Sequence, residues 1–111
     1  MAEIPEEGKN IVEQFQIYQQ QLQSVLIQKE SLKMQTSEME RALEELKNTK
    51  QKTAYKITGQ IMINKPVDEL TKELEESKEA VEVRTKSLEK TEERINSKLK
   101  ELQTKLKEVM K

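Results

Sequence analysis

The chain has 111 residues, of which 37% are charged, 33% are apolar and 3% are aromatic. This composition offers too little large apolar surface for a compact globular core, yet the apolar residues recur too regularly for a disordered chain. The absence of cysteine excludes a disulfide scaffold and favours a reducing compartment such as the cytoplasm. A net charge of -1 argues against nucleic acid as the main partner, and no apolar run reaches the roughly 18 to 20 residues of a membrane span. The class that fits is a protein of long helices.

Apolar residues in the first half of the chain follow a heptad repeat. One stripe recurs every seven residues and consists of Ile11, Tyr18, Val25, Leu32, Met39 and Leu46. The partnering stripe contains Phe15, Leu22 and Leu43, together with the polar residues Lys29 and Thr36. Because two such stripes form the seam of a coiled coil, the pattern predicts a helix over about residues 6–52.

The middle of the chain, about residues 53–65, departs from the helical pattern and predicts a β-hairpin. Gly59-Gln60 suits a two-residue turn with positive φ at the glycine, and this turn sets Ile57 opposite Met62 and Tyr55 opposite Asn64. The residues expected to form an assembly hairpin are Tyr55, Ile57, Gly59, Ile61, Met62 and Ile63. A hairpin this short is marginal alone and carries apolar groups on both faces, so we expect other chains to cover it.

The second half of the chain predicts another helix, over about residues 66–110. Pro66 suits the first helical position, and Asp68 and Glu69 place negative charge in the first turn. An unbroken apolar stripe recurs every seven residues through Val67, Leu74, Val81, Leu88, Ile95, Leu102 and Val109. Leu99 and Leu106 widen this stripe only toward the C-terminus.

A reversal at the predicted turn brings the two helices into an antiparallel register. Ile11 then faces Val109, and Lys29 lies near Glu92, which would convert a polar seam position into an ion pair. The sequence therefore predicts a mainly α fold, a long antiparallel two-helix coiled coil closed by a central β-hairpin. Residues 1–111 are expected to form a single domain.

This order of elements resembles the β class of archaeal-type prefoldin subunits. The stretch Ala54–Ile63, with Tyr55-Lys56 and then Gly59 between apolar residues, is similar to the hairpin motif of that family. The resemblance covers essentially the whole chain. It implies a hetero-hexamer of α-class subunits and further copies of this chain, whose hairpins join into a β-barrel platform. It also implies a cytoplasmic, ATP-independent holdase chaperone that captures non-native client proteins at its coiled-coil tips and delivers them to a group II chaperonin.

The ends of the two predicted helices are the expected client-binding tips. They carry more apolar side chains than a two-helix seam covers, and exposed apolar patches usually mark binding sites. The expected client-binding residues are Ile11, Phe15, Tyr18, Leu99, Leu102, Leu106, Val109 and Met110. Simple end packing is the alternative interpretation. Lys105, Lys107 and Lys111 form either a solvated helix face or a contact with the chaperonin.

Catalysis has little support in this sequence. The chain has neither His nor Cys, and its many Glu residues fall on helix faces expected to be in water. We therefore predict no enzyme activity, no catalytic residue, no cofactor and no metal site. The alternative function is a structural or tethering coiled coil assembled through its hairpin, and a homomeric assembly through the same hairpin also stays open. Unlike a chaperone, a tether would not suppress aggregation of an unfolded protein.

Overall fold

The computed structural model describes residues 4–111, so the first three residues of the expected domain lie outside the described part. Helix α1 covers Glu6–Asn48, strand β1 Thr53–Thr58, strand β2 Ile61–Pro66 and helix α2 Val67–Val109. Each helix has 43 residues. The predicted fold class, two long helices separated by an antiparallel hairpin, is confirmed.

Helix α1 ends at Asn48, four residues before the predicted end near Lys52. The last helical hydrogen bond runs from the amide of Thr49 to the carbonyl of Glu45, at 3.0 Å. The amide of Gln51 then donates to the Thr49 hydroxyl at 3.2 Å. A threonine hydroxyl that accepts a hydrogen bond from a nearby amide competes with the backbone hydrogen bonds of the helix. The helix therefore ends before the point that the heptad stripe predicts.

The hairpin has the register that its turn predicts. Ile57 pairs with Met62, and Tyr55 pairs with Asn64. Gly59 has a φ of 61°, whereas among residues 4–111 no residue other than glycine has a positive φ, so the turn is of type II′. This turn matches the right-handed twist of the two strands, which is why a Gly-X pair sets the register so firmly.

Helix α2 begins at Val67, one residue later than predicted, and Pro66 is the last residue of β2. The amide of Val67 donates to the carbonyl of Lys52 at 2.9 Å, which extends the antiparallel ladder past Pro66. Because the strand pairing continues to this point, Pro66 stays extended and does not take the first helical position.

The chain divides into two compact units. The first combines the chain up to Glu30 with Lys86–Lys111, and the second is Ser31–Thr85. In the first unit, Lys29 contacts Glu92 at 2.6 Å, as the antiparallel register predicts. The buried side chains of this unit are Ile11, Val25, Ile95 and Leu102.

The second unit contains the hairpin and the helical segments beside it. Lys78 contacts Glu40 at 3.5 Å, so the helices are also antiparallel in this unit. Its buried side chains are Leu32, Leu70 and Val81. In both units the buried side chains occupy heptad positions, apart from Leu70, which lies one helical turn before Leu74. This narrow core positions the helix ends in the first unit and the hairpin in the second.

Candidate functional site

The hairpin exposes five large apolar side chains, namely Tyr55, Ile57, Ile61, Met62 and Ile63. Ile57 is the most exposed of these, at 72%, and Ile63 the least, at 40%. Antiparallel pairing places Tyr55, Ile57 and Met62 on one face of the hairpin, and Ile61 and Ile63 on the other. Exposed apolar residues on both faces make the hairpin a candidate surface for association, and the assembly role of these residues stays a prediction.

Ion pairs of Lys56 and Lys65 with carboxylates of helix α2 hold the hairpin against that helix. The carboxylate of Glu73 accepts hydrogen bonds from Lys65 Nζ at 2.8 Å and from Lys56 Nζ at 3.3 Å. Lys65 also lies 3.8 Å from a carboxylate oxygen of Glu69. The hydrogen bonds from Lys65 and then Lys56 lower the pKa of Glu73, and the bond to Glu73 raises the pKa of Lys65. We call Lys56, Lys65 and Glu73 the hairpin clamp.

A groove of about 390 Å³ lies between β1 and the two helices of the same unit. Its walls are mainly apolar, and Leu70 at its base is buried. The residues that line this hairpin groove are Ala42, Glu45, Leu46, Ala54, Tyr55, Lys56, Leu70, Glu73, Leu74 and Ser77. Three of them belong to β1 and none to β2, so the groove opens beside β1.

The predicted client-binding residues differ in exposure. Ile11 and Leu102 are buried, and Leu102 is only 1% exposed. Met110 is 46% exposed. The half-buried members of the set are Phe15, Tyr18, Leu99, Leu106 and Val109. The seam therefore covers more of this set than the sequence led us to expect, and the client-binding role of these residues stays a prediction.

Gly8 brings the first turn of α1 close to other apolar groups. A Cβ atom at this position would lie 2.9 Å from Ile4 Cγ2 and 3.7 Å from Met110 Sδ. Ile4 and Met110 thus both pack close to Gly8, and each remains nearly half exposed. This contact could not be predicted from the sequence, because a glycine near the start of a helix gives no packing signal of its own.

Exposed apolar residues also lie outside the heptad seam. In the first unit, Ile17 is 54% exposed, one residue before the half-buried Tyr18. Leu26 and Ile27 are also exposed. The heptad repeat itself predicts the exposure of these residues, because an apolar residue off the seam of a two-helix pair has no partner helix to cover it.

The lysine-rich end of α2 carries an internal ion-pair network. Lys105 and Lys98 contact Glu101 at 3.1 and 3.5 Å, and the hydrogen bond from Lys105 is the main reason that the pKa of Glu101 is lowered. Lys107 and Lys111 are exposed. Of the three predicted chaperonin contacts, Lys105 is therefore already engaged within its own helix.

Among residues 4–111, no group of three or more acidic side chains is arranged to hold a metal ion. In the same range, no helix is both long and apolar enough to cross a membrane.

These features define a class of protein: paired antiparallel helices with a narrow apolar seam and an exposed apolar hairpin clamped to one of them. The family described as prefoldin subunit matches residues 9–111. The beta subunit of prefoldin from Archaeoglobus fulgidus is 37% identical over 111 residues, which cover 99% of this chain and 96% of the relative. The beta subunit from Thermococcus onnurineus is 35% identical over 112 residues, 100% of this chain and 97% of the relative.

A solved structure agrees with these relatives. The crystal structure of the prefoldin beta subunit from Thermococcus strain KS-1 matches with a TM-score of 0.89 at 34% identity, over 97% of this chain and 96% of that chain. The chain belongs to the prefoldin subunit family, which confirms the resemblance seen in its sequence. Members of this family are non-enzymatic chaperone components that assemble with other prefoldin subunits, in agreement with the prediction of no enzyme activity.

Proposed function

We propose that this chain is a subunit of an ATP-independent holdase that captures unfolded proteins at its helix ends and delivers them to a group II chaperonin. Its partners in the proposed assembly are α-class prefoldin subunits and further copies of itself, in a hetero-hexamer. The hairpins of these subunits form the proposed β-barrel platform. The proposed location is the cytoplasm.

One observation carries the proposed client site: the exposed apolar side chains where the two helix ends meet. Ile4 and Met110 pack near Gly8 while each remains nearly half exposed, and Ile17 is exposed on the same unit. Half-buried Phe15 and Tyr18 add aromatic surface. A site for many unfolded clients must be adaptable, and flexible Met side chains with frayed helix ends suit that requirement.

Capture by several tips at once supports the proposal energetically. A single tip offers only a few exposed apolar side chains, so its own affinity for a client is weak. Several tips on one platform raise the effective concentration of the remaining sites once the first has bound. The assembly can then hold a client firmly while each contact exchanges easily, which suits delivery to a second chaperone.

The test removes the tips and leaves the hairpin intact. We expect deletion of residues 1–12 together with 104–111 to preserve the native mass of the assembly with an α-class subunit. The same deletion should abolish most protection of an aggregating client, because it removes most of the exposed apolar residues of the tip. Native mass and light scattering of a heat-denatured client are the two measurements.

A matched variant separates the apolar residues from the lysines. Replacing Lys105, Lys107 and Lys111 by Gln keeps the apolar tip, so client protection should persist while transfer to a group II chaperonin decreases. If the doubly truncated protein keeps its mass and protects the client as well as the full chain, the tips are not the client site. If the full chain assembles but never suppresses aggregation, the tethering function replaces the chaperone function.

A further inference from the structure

Helix α1 carries a stretch without charge in an otherwise highly charged chain. Residues 14–28 contain no Asp, Glu, Lys or Arg, whereas these residue types make up 37% of the whole chain. Seven residues of the stretch are glutamine. The part of α2 that belongs to the same unit is rich in charge and includes Glu93, Arg94, Lys98 and Lys100. In this unit the neutral surface therefore belongs to α1.

The outward side of this stretch has the spacing of a second coiled-coil seam. Ile17, Gln20, Ser24 and Ile27 follow one another at intervals of three, four and three residues. Residues with this spacing lie on one side of a helix. All four are exposed, and Ile27 is 66% exposed. Val25, which is buried in the core of the same unit, lies on the other side of the helix. We call the four exposed residues the outer seam.

Glutamine residues flank the outer seam. Gln16 and Gln23 precede its first and third members, and Gln21 and Gln28 follow its second and fourth. When two identical helices pair in parallel, the preceding residues of one helix approach the following residues of the other. Glutamine would then meet glutamine, and each side-chain amide can both donate and accept a hydrogen bond. Within residues 4–111, Gln28 is the one member of these four whose side chain makes a hydrogen bond, to Ser24 Oγ at 3.2 Å.

From this pattern we propose that the outer seam pairs in parallel with the outer seam of a second copy of this chain. The face suits its own copy because it carries no charge that the copy would repel, whereas a charged partner would lose hydration without gaining an ion pair. Ile17 and Ile27 then form two apolar layers, with Gln20 and Ser24 in the layers between them. The inference rests on the assembly proposed above, in which copies on one platform extend in the same direction.

The contact is weak when only two outer seams meet. Each outer seam is about 15 Å long and one helix wide, which is far less than the roughly 800 Å² per partner that a stable complex buries. Copies held on one platform meet at high effective concentration, which compensates for the small area. Ile17 also belongs to the surface assigned above to clients. Pairing would cover Ile17 in the idle assembly, and an unfolded client would compete with the second copy for it.

The first experiment introduces cysteine, which the chain itself lacks. Ser24→Cys places the thiols of two copies in one layer of the proposed contact. Gln103→Cys, at an exposed position of α2 in the same unit, is the control. In the assembly with a cysteine-free α-class subunit, we expect mild oxidation to join two copies through residue 24 about tenfold faster than through residue 103. Dilution of the assembly should leave the yield unchanged, because both copies belong to one assembly.

The second experiment adds charge to the neighbouring layer and keeps Ser24→Cys as the reporter. Gln20→Lys places like charges opposite each other, as does Gln20→Glu, so each variant should form the cross-link about tenfold more slowly. An equal mixture of the two variants should recover the cross-link between unlike chains, since Lys then faces Glu. Gln103→Lys adds the same charge on α2 and should have no effect. Residues 20 and 103 are exposed, so helical content by circular dichroism should stay unchanged.

The outcomes are distinct. Equal cross-linking through residues 24 and 103, or no recovery in the mixture, overturns the contact. If Gln20→Cys and Ser24→Cys chains cross-link only when mixed, the helices are antiparallel and the stated register is wrong. A cross-link yield that an unfolded client does not lower overturns the competition for Ile17.

Two further results concern the occupant and the assembly. If Gln20→Lys loses client protection and keeps the cross-link, the outer seam is a client site and the second copy is not its occupant. Failure of the unmodified chain to assemble with the α-class subunit overturns the proposed function itself, and native mass reveals this failure before any variant is made.

Discussion

At the scale of single residues, Glu73 is the side chain that ties the hairpin to the helix. It accepts hydrogen bonds from Lys56 on β1 and from Lys65 on β2, so one carboxylate contacts both strands. Without it, the hairpin would keep the longer contact between Lys65 and Glu69, at 3.8 Å, and the backbone connection at Pro66-Val67. Because these side chains are partly exposed, each pair contributes little alone, and the value of the clamp lies in orientation.

The protonation states of Glu73 and Lys65 determine the pH range in which the hairpin clamp is intact. The pKa of Glu73 is lowered in the folded chain, so its stabilising contribution is present above the ordinary value of 4.5 and is lost as pH falls through the lowered pKa. The pKa of Lys65 is raised, so its contribution is present below the ordinary value of 10.5 and is lost as pH rises through the raised pKa. The clamp is intact between these two limits.

We predict that Glu73→Gln accelerates amide exchange in the hairpin near neutral pH, because Lys56 loses its charged partner and Lys65 keeps only Glu69, at 3.8 Å. Acidification below the ordinary carboxyl range should loosen the hairpin of the unmodified chain and have a smaller effect on the variant. Glu76→Gln, an exposed residue of the same helix, is the control. Equal pH dependence of hairpin exchange in the Glu73 variant and the unmodified chain would contradict this role.

At the scale of elements, each helix depends on one narrow row of buried residues. Leu102 is the most deeply buried of them, and the other residues of that unit's core are Ile11, Val25 and Ile95. The polar seam position Lys29 is satisfied by Glu92 at 2.6 Å, so the seam tolerates a charge where its partner is present. Since this core is only one layer wide, a single cavity affects a large share of it.

We predict that Leu102→Ala lowers the free energy of unfolding by about 2 to 5 kcal/mol, the usual cost of a cavity left by a buried leucine. Leu26→Ala should cost less than about 1 kcal/mol, since Leu26 is 45% exposed. Denaturant unfolding followed by circular dichroism, at one fixed subunit concentration, measures both changes. Similar losses in the two variants would mean that Leu102 is not a core residue in solution.

At the scale of the whole molecule, the hairpin has too much exposed apolar surface to stand alone. Ile61 and Ile63 lie on one of its faces, and Tyr55, Ile57 and Met62 on the other. An isolated two-stranded hairpin is marginal, and open apolar edges attract other strands. The chain belongs to a family that assembles with other subunits, which supports the proposal that this surface is used in assembly.

We predict that Ile61→Asp or Ile63→Asp lowers the native mass of the assembly to that of a monomer or small oligomer, while helical content is largely kept. A charged side chain would have to be buried wherever the hairpin is covered, and burial of an unpaired carboxylate is costly. Val83→Asp, which changes an exposed apolar residue of α2, should leave the native mass unchanged. Full assembly by the two hairpin variants would argue against the platform.

The sequence alone determined the elements, the hairpin register and the antiparallel pairing of Lys29 with Glu92. These follow from periodicity and from one glycine turn, which act locally or repeat along a helix. The end of α1 follows from a local hydrogen bond at Thr49, which the heptad repeat does not predict. Only the tertiary structure decided how far the tip residues are covered and that Glu73 joins both strands. It also revealed the hairpin groove, whose lining residues come from three elements. The clamp and the groove depend on the angle between hairpin and helix, and the covering of the tip residues depends on how the two helix ends pack. No repeat along the chain encodes either.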